Sequence, residues 1–134
     1  MKNYGLLFLL LSFLVFYGCA SHVVTEATQL PVYRESQSAK YILITEEAWV
    51  SSTAGYPRVI TNGSKWEYVG LITQGNAYKP IDHIFTIEGY HVHEAYLVVD
   101  DKKLIGFYLP AEKTFSGVRK EILLKYKIID GQRR

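Results

Sequence analysis

The chain has 134 residues, of which 49% are hydrophobic and 21% are charged, and this composition is typical of a folded protein rather than a disordered one. Fifteen Lys and Arg residues against 13 Asp and Glu residues leave a net charge of +2, which is too small for the dense basic face that nucleic-acid binding requires. The single cysteine excludes an intramolecular disulfide, so core packing must hold the fold together.

The N-terminus has the pattern of an export signal. Lys2 precedes an uncharged, apolar run over residues 4–17 (YGLLFLLLSFLVFY), and the small residues Gly18, Cys19, Ala20 and Ser21 follow it. We therefore predict a signal helix over residues 1–18. The run is shorter than the roughly 20 residues that a membrane-spanning helix needs, although extending it to Ala20 leaves a short, retained anchor open.

The residues at the end of this run, Phe16-Tyr17-Gly18-Cys19, resemble the lipobox of bacterial lipoprotein precursors. The resemblance implies that Cys19 receives a diacylglycerol group and becomes the first residue of the mature, membrane-anchored protein. It also implies the outer membrane, because Ala20, and not aspartate, follows the cysteine. The resemblance covers only the N-terminal segment. The alternative is ordinary signal cleavage after Ala20, which would leave Cys19 in the discarded peptide.

Residues 19–39 are expected to form the lipidated N-terminus and a flexible tether. They are rich in Ser, Thr, Gln and Glu, lack a sustained apolar period and contain a breaker at Pro31. The apolar residues Val23, Val24, Leu30, Val32 and Tyr33 leave open the alternative that part of this segment docks as an edge strand.

Residues 40–134 are expected to form one β domain. Residues 41–45 (YILIT) are β-branched and aromatic, residues 46–49 continue as strand or as a short helical turn, and residues 51–57 have a loop composition. The dipeptide Asn62-Gly63 then predicts a type I′ hairpin, because both of its residues tolerate positive φ angles.

Three further turns are predicted at residues 74–76, 88–89 and 100–103. The arms on either side of the last of these turns, residues 94–99 and 104–109, are apolar at nearly every position, which is typical of central strands covered on both faces. In residues 121–129, Leu124, Tyr126 and Ile128 alternate with lysines, which predicts a strand with those three side chains buried.

These elements predict a mainly β fold: a small antiparallel sandwich or barrel of about seven or eight short strands, after the N-terminal signal helix.

A cluster of histidines is the clearest candidate for metal binding. His91 and His93 are two residues apart and would share one face of a strand, and His83 approaches them if the hairpin register allows. With Glu88 or Glu94 nearby, these imidazoles are ligands suited to zinc or copper. The alternative is that the histidines lie on a solvated face and the valine between His91 and His93 turns inward.

The 11 tyrosines and two tryptophans suggest binding through aromatic side chains. Tyr96 and Tyr108 fall in the predicted central strands and are expected in the core or at a barrel rim. Tyr56, Tyr78 and Tyr90 fall at loops or strand ends, where a ligand can reach them.

The residues favour a non-enzymatic envelope lipoprotein that binds another protein. The alternative is a periplasmic module that binds a small ligand or a metal through His83, His91 and His93 or through exposed tyrosines. An enzyme is the third hypothesis, but the sequence has no Gly-x-Ser-x-Gly elbow and no phosphate-binding glycine loop. We therefore predict no catalytic residue and no cofactor.

Overall fold

The computed structural model describes residues 22–30, 38–53 and 55–132. Within those ranges the chain forms twelve β-strands and no helix, so none of it is a helix of the length and hydropathy needed to cross a membrane. The strands are β1 (Glu26–Ala27), β2 (Ser38–Ile44), β3 (Ala48–Val50), β4 (Arg58–Ile60), β5 (Lys65–Leu71), β6 (Asn76–Pro80), β7 (Thr86–Glu88), β8 (Val92–Glu94), β9 (Tyr96–Asp100), β10 (Lys103–Leu109), β11 (Thr114–Leu123) and β12 (Tyr126–Gln132). The predicted signal helix over residues 1–18 and the lipidation candidate Cys19 lie outside the described residues.

Eight of the strands form one antiparallel sheet with the order β1-β11-β10-β9-β6-β5-β2-β12. The prediction of a mainly β, antiparallel fold is confirmed, but the predicted number of strands, seven or eight, is lower than the twelve observed. The barrel alternative is wrong, because β1 and β12 are the two ends of the sheet and do not pair with each other.

The sheet nevertheless curls strongly. Strand β11 lies next to one end of the sheet and β12 forms the other end, yet only Leu124 and Lys125 join them. Consecutive Cα atoms are about 3.8 Å apart, so this connection spans at most about 11 Å. The two ends of the sheet must therefore approach each other at this corner, which gives the sheet a concave face.

One large core fills that concave face. Two short ribbons, β3–β4 and β7–β8, contribute side chains to it, and Trp66 at its centre is fully buried. Trp66 contacts Phe85 edge to face at 5.5 Å, and Phe85 stacks on Phe107 at 5.8 Å. The larger buried members are Ile42, Ile44, Ile60, Ile87, Leu97, Leu104, Leu109 and Leu124. We call this side of the sheet the core face.

Strands β9 and β10 are covered on both faces, as predicted from their apolar runs. Leu97 and Phe107 point into the large core, whereas Val98 and Tyr108 point to the opposite side, where they form a smaller cluster with Ile72. Because successive side chains of a strand alternate between faces, only central strands need apolar residues at every position.

The Asn62-Gly63 turn does not close the predicted hairpin. Strand β4 pairs with β3, and β5 pairs with β2 and β6, so the turn links two different sheets. Gly63 has a φ of 83°, but Asn62 is not among the residues with positive φ, and a type I′ turn requires both. The N–H of Gly63 donates instead to the carbonyl of Ile44 at 2.8 Å, so the turn is bonded to the end of β2 rather than closed across β4 and β5.

The other three turns connect paired strands, as predicted: β5 with β6, β7 with β8, and β9 with β10. The β9–β10 turn has the backbone of a two-residue turn with positive φ at both positions, 45° at Asp101 and 62° at Lys102. This turn lacks the glycine that such a backbone usually selects.

The C-terminal prediction is correct in part. Residues 121–129 belong to two strands rather than one, because the chain leaves β11 at Leu123 and enters β12 at Tyr126. Leu124 is buried and Tyr126 is half-buried, but the side chain of Ile128 is 69% exposed. Its exposure follows from its position on the last strand of the sheet.

Part of the predicted tether is docked. Strand β1 pairs with Phe115 and Thr114 of β11, and Val23 is buried in the large core. Over residues 22–30 the chain therefore follows the edge-strand alternative rather than a free tether. The pairing of β2 with β12 begins at Ser38, two residues before the predicted start of the β domain.

Candidate functional site

The most distinctive concavity on the core face is lined by aromatic residues. It has a volume of about 310 Å³. We call it the tyrosine cleft, and its lining residues are Lys40, Tyr41, Ile42, Tyr68, Asn76, Tyr78 and Ile128. The cleft lies between the diverging ends of β2 and β5, and Ile128 brings the edge strand β12 to its rim.

A β-bulge in β5 opens the cleft. Opposite β6, Tyr68 pairs with Tyr78 and Gly70 pairs with Ala77, so Val69 is the extra residue. Gly70 has a φ of 146°, which favours glycine at this position. A bulge bends its strand, and the pairing of β5 with β2 accordingly stops at Glu67 and Tyr41.

The two tyrosines paired across β5 and β6 form the floor of the cleft. Their rings meet edge to face at 5.7 Å. Burial raises the pKa of Tyr78 to about 12, and the hydroxyl groups of Tyr126 and Tyr68 add to the shift. Tyr78 is therefore neutral at physiological pH, and its hydroxyl can both donate and accept a hydrogen bond. The ammonium group of Lys40 and the amide of Asn76 supply the other polar groups of the lining.

The open backbone edge of β12 lies beside the cleft. The N–H of Thr45 donates to the carbonyl of Lys125 at 3.0 Å, which identifies these two residues as a hydrogen-bonded pair. The register continues without a bulge, so Lys127, Ile129 and Gly131 also bond to β2.

The intervening residues of β12, Tyr126, Ile128 and Asp130, direct their N–H and C=O groups away from β2. In the described part of the chain no strand lies beyond them. This edge can therefore accept the backbone of another extended segment.

The structure places the predicted metal ligands in two environments. His83 contacts the ring of Trp66 edge to face at 5.2 Å. His91 contacts Tyr90 at 4.6 Å and lies 6.4 Å from His93, centroid to centroid. The structure thus brings two of the three imidazoles together, and among the described residues no group of three His, Cys, Asp or Glu side chains is arranged to hold a metal ion. Metal binding by His83, His91 and His93 stays a prediction.

The alternative, in which the histidines lie on a solvated face and Val92 turns inward, is correct for His83 and His91, which are exposed, and wrong for His93 and Val92. His93 pairs with the buried Ile87 and lies on the same face, whereas Val92 between the histidines is exposed. His93 Nδ1 lies 2.5 Å from Glu112 Oε1, so the imidazole is held by a carboxylate from another part of the chain.

Of the tyrosines selected from sequence, Tyr78 lies in the cleft, while Tyr56 and Tyr90 are exposed elsewhere. Tyr96 and Tyr108 contact each other at 6.1 Å in the smaller cluster, as expected of central strands. Sequence reasoning missed Tyr68 and Lys40. The signal that could have found Tyr68 is its place in β5 two residues after Trp66, since both then share the core face.

Comparison with known proteins finds no relative of this chain. The sequence matches no protein-family model, and it has no significant match among curated proteins or among solved structures.

Proposed function

We propose that this chain is a non-enzymatic, lipid-anchored protein of the bacterial cell envelope whose β domain binds a partner protein by strand addition at β12. The anchor is a lipid on Cys19, and the outer membrane is the favoured location because Ala20 follows the cysteine. The observation that carries the binding part is the open β12 edge beside the tyrosine cleft.

The geometry of β12 supports strand addition in two ways. Its outward N–H and C=O groups, at Tyr126, Ile128 and Asp130, match the hydrogen-bonding pattern of an added strand. The side chain of Ile128 stands at the rim of the tyrosine cleft and is 69% exposed. An added strand would place every second side chain on this face, where an apolar or aromatic group can enter the cleft.

Site-specific crosslinking tests this proposal in intact envelopes. A photo-crosslinking p-benzoylphenylalanine is placed at position 128, and the control places it at position 84. Ile84 is a matched control because its side chain is 75% exposed and it lies outside β12 and the cleft. We expect a protein adduct from position 128 and none from position 84. Free monomer at both positions, or equal adducts, would contradict strand addition.

A small ligand in the tyrosine cleft is the second candidate. The cleft volume of about 310 Å³ lies at the small end of ligand sites, and its aromatic walls with a few polar groups fit that class. Native mass spectrometry of protein purified from envelopes separates the two candidates. A bound small molecule that is lost in Tyr78→Ala would support this second candidate, and only the ligand-free mass would count against it.

A further inference from the structure

A second concavity lies at the corner where β11 passes into β12. It has a volume of about 310 Å³ and is lined by Thr45, Lys102, Leu123, Leu124, Lys125, Tyr126 and Lys127. We call it the lysine cleft. Its three lysines come from two parts of the chain: Lys102 from the β9–β10 turn, and Lys125 and Lys127 from the β11–β12 connection and the start of β12. The backbone holds these parts together because Leu124 N–H donates to the carbonyl of Lys102 at 2.8 Å.

The charges around the lysine cleft leave two ammonium groups available. Lys125 Nζ bonds to Glu46 Oε2 at 2.7 Å. For Lys102 and Lys127, no acidic partner lies within ion-pair distance in the described part of the chain. The carboxylate of Asp101 also acts on this region: burial, and then this carboxylate, raise the pKa of the Tyr126 hydroxyl.

The β9–β10 turn sets the backbone conformation of Lys102. Its φ of 62° is unfavourable for a lysine and would suit glycine. Positive φ alone assigns no role, because Lys113 has a φ of 55° and does not line the cleft. At Lys102 the turn places the lysine in the lining of a cleft that two other lysines also line.

We propose that the lysine cleft binds the phosphate group of an anionic ligand. A phosphate monoester carries a charge of about −1.5 to −2 at neutral pH and three acceptor oxygens, so it can bond to Lys102 and Lys127 at the same time. The Thr45 hydroxyl is a further donor in the lining, and Leu123 gives the cleft an exposed apolar wall. A free phosphate ester and a lipid headgroup both present this group, so the two sources share the same recognition.

The test titrates the full chain, in a non-ionic detergent, with two probes monitored by amide chemical shifts. The probes are glycerol 3-phosphate and dihexanoyl phosphatidic acid below its micellar concentration. We expect at least one probe to bind with a Kd of about 1 mM or tighter. Binding of glycerol 3-phosphate, with or without the lipid, identifies a free phosphate site, and binding of the lipid alone identifies a headgroup site. No saturable shift with either probe would overturn the proposal.

Two glycine substitutions provide matched variants. Lys102→Gly removes the ammonium group and relieves the strained backbone, so it should raise the melting temperature while weakening probe binding about tenfold. Lys113→Gly makes the same change outside the cleft, so it should raise the melting temperature and leave the Kd unchanged. Unchanged binding in Lys102→Gly, or equal loss in both variants, would show that the lysine cleft is not the site.

Discussion

The direction of the N–H groups along β12 gives a sharp test by proline substitution. Proline removes the N–H of the residue it replaces. At Ile128 that N–H points away from β2, so Ile128→Pro should leave the β2–β12 ladder intact. At Ile129 the N–H bonds to β2 opposite Tyr41, so Ile129→Pro should break the ladder and leave a carbonyl of Tyr41 without its donor.

The expected difference between these two variants follows from the lost hydrogen bond. Both variants share the cost of forcing φ to about −65°, so this cost largely cancels in the comparison. A ladder bond whose acceptor is left without a partner costs about 1–3 kcal/mol, so we expect Ile129→Pro to be about 2 kcal/mol less stable than Ile128→Pro. For a domain of this size that corresponds to about 8–16 °C in melting temperature. The larger burial of the Ile129 side chain, 37% exposed against 69% for Ile128, acts in the same direction.

Thermal unfolding followed by circular dichroism measures the stability of both variants, and crosslinking from a probe at position 126 then measures partner capture by the folded Ile128→Pro variant. We expect Ile128→Pro to stay folded and to lose the adduct, because the added strand no longer has that donor. Equal melting temperatures would refute the assigned hydrogen-bonding pattern. Unchanged capture by Ile128→Pro would refute strand addition at this edge.

Gly106→Ala should destabilise the domain by about 1–3 kcal/mol in urea unfolding, because an added Cβ would lie 2.5 Å from the Phe115 ring. The control is Gly117→Ala, directly across the strand pair, where the added Cβ would have its nearest neighbouring atom at 4.0 Å. This control should change stability by less than about 0.5 kcal/mol. Similar losses in the two variants would contradict this packing. Because the pKa of Tyr78 in the folded state is raised to about 12 from 10.0, the neutral hydroxyl favours the folded state below pH 10, and this contribution should decline from pH 10 to 12. The wild type should therefore lose more stability than Tyr78→Phe over that interval. Parallel curves of stability against pH for the two proteins would argue against the shift. Labelled palmitate should enter the wild-type chain and not Cys19→Ser, and equal incorporation would rule out the lipid anchor.

Turn chemistry shows where local sequence predicts this fold and where it does not. Asn62-Gly63 has the strongest local signal for a two-residue hairpin, yet its flanking segments pair with other strands. Asp101-Lys102 lacks that signal, yet it has positive φ at both positions and joins β9 to β10. The apolar arms on either side of Asp101-Lys102 gain more from pairing in the centre of the sheet than the turn loses through strain. Tertiary packing therefore overrides turn preference at both places.

The candidate site was predictable only in part. Tyr78 was selected because it falls near a strand end, but its partners in the cleft depend on the bulge at Gly70 and on the divergence of β2 from β5. A single extra residue on one strand sets that divergence, and no apolar period reveals it. The exposure of Ile128 depends likewise on β12 being the last strand of the sheet, which is a property of the topology and not of the local alternation.

The pairing of β2 with β12 has a consequence for how the protein is made. Ile44 and Tyr126 are opposite each other in the register although almost the whole β domain separates them along the chain. Because the chain emerges N-terminus first, from the ribosome and from an export channel alike, β2 has no neighbour on one side until the C-terminal residues follow. Contacts of such long sequence separation form late and slowly, so a folding intermediate with an unpaired β2 edge is prone to aggregation until they form. A stop codon only a few residues early would make that vulnerable intermediate permanent.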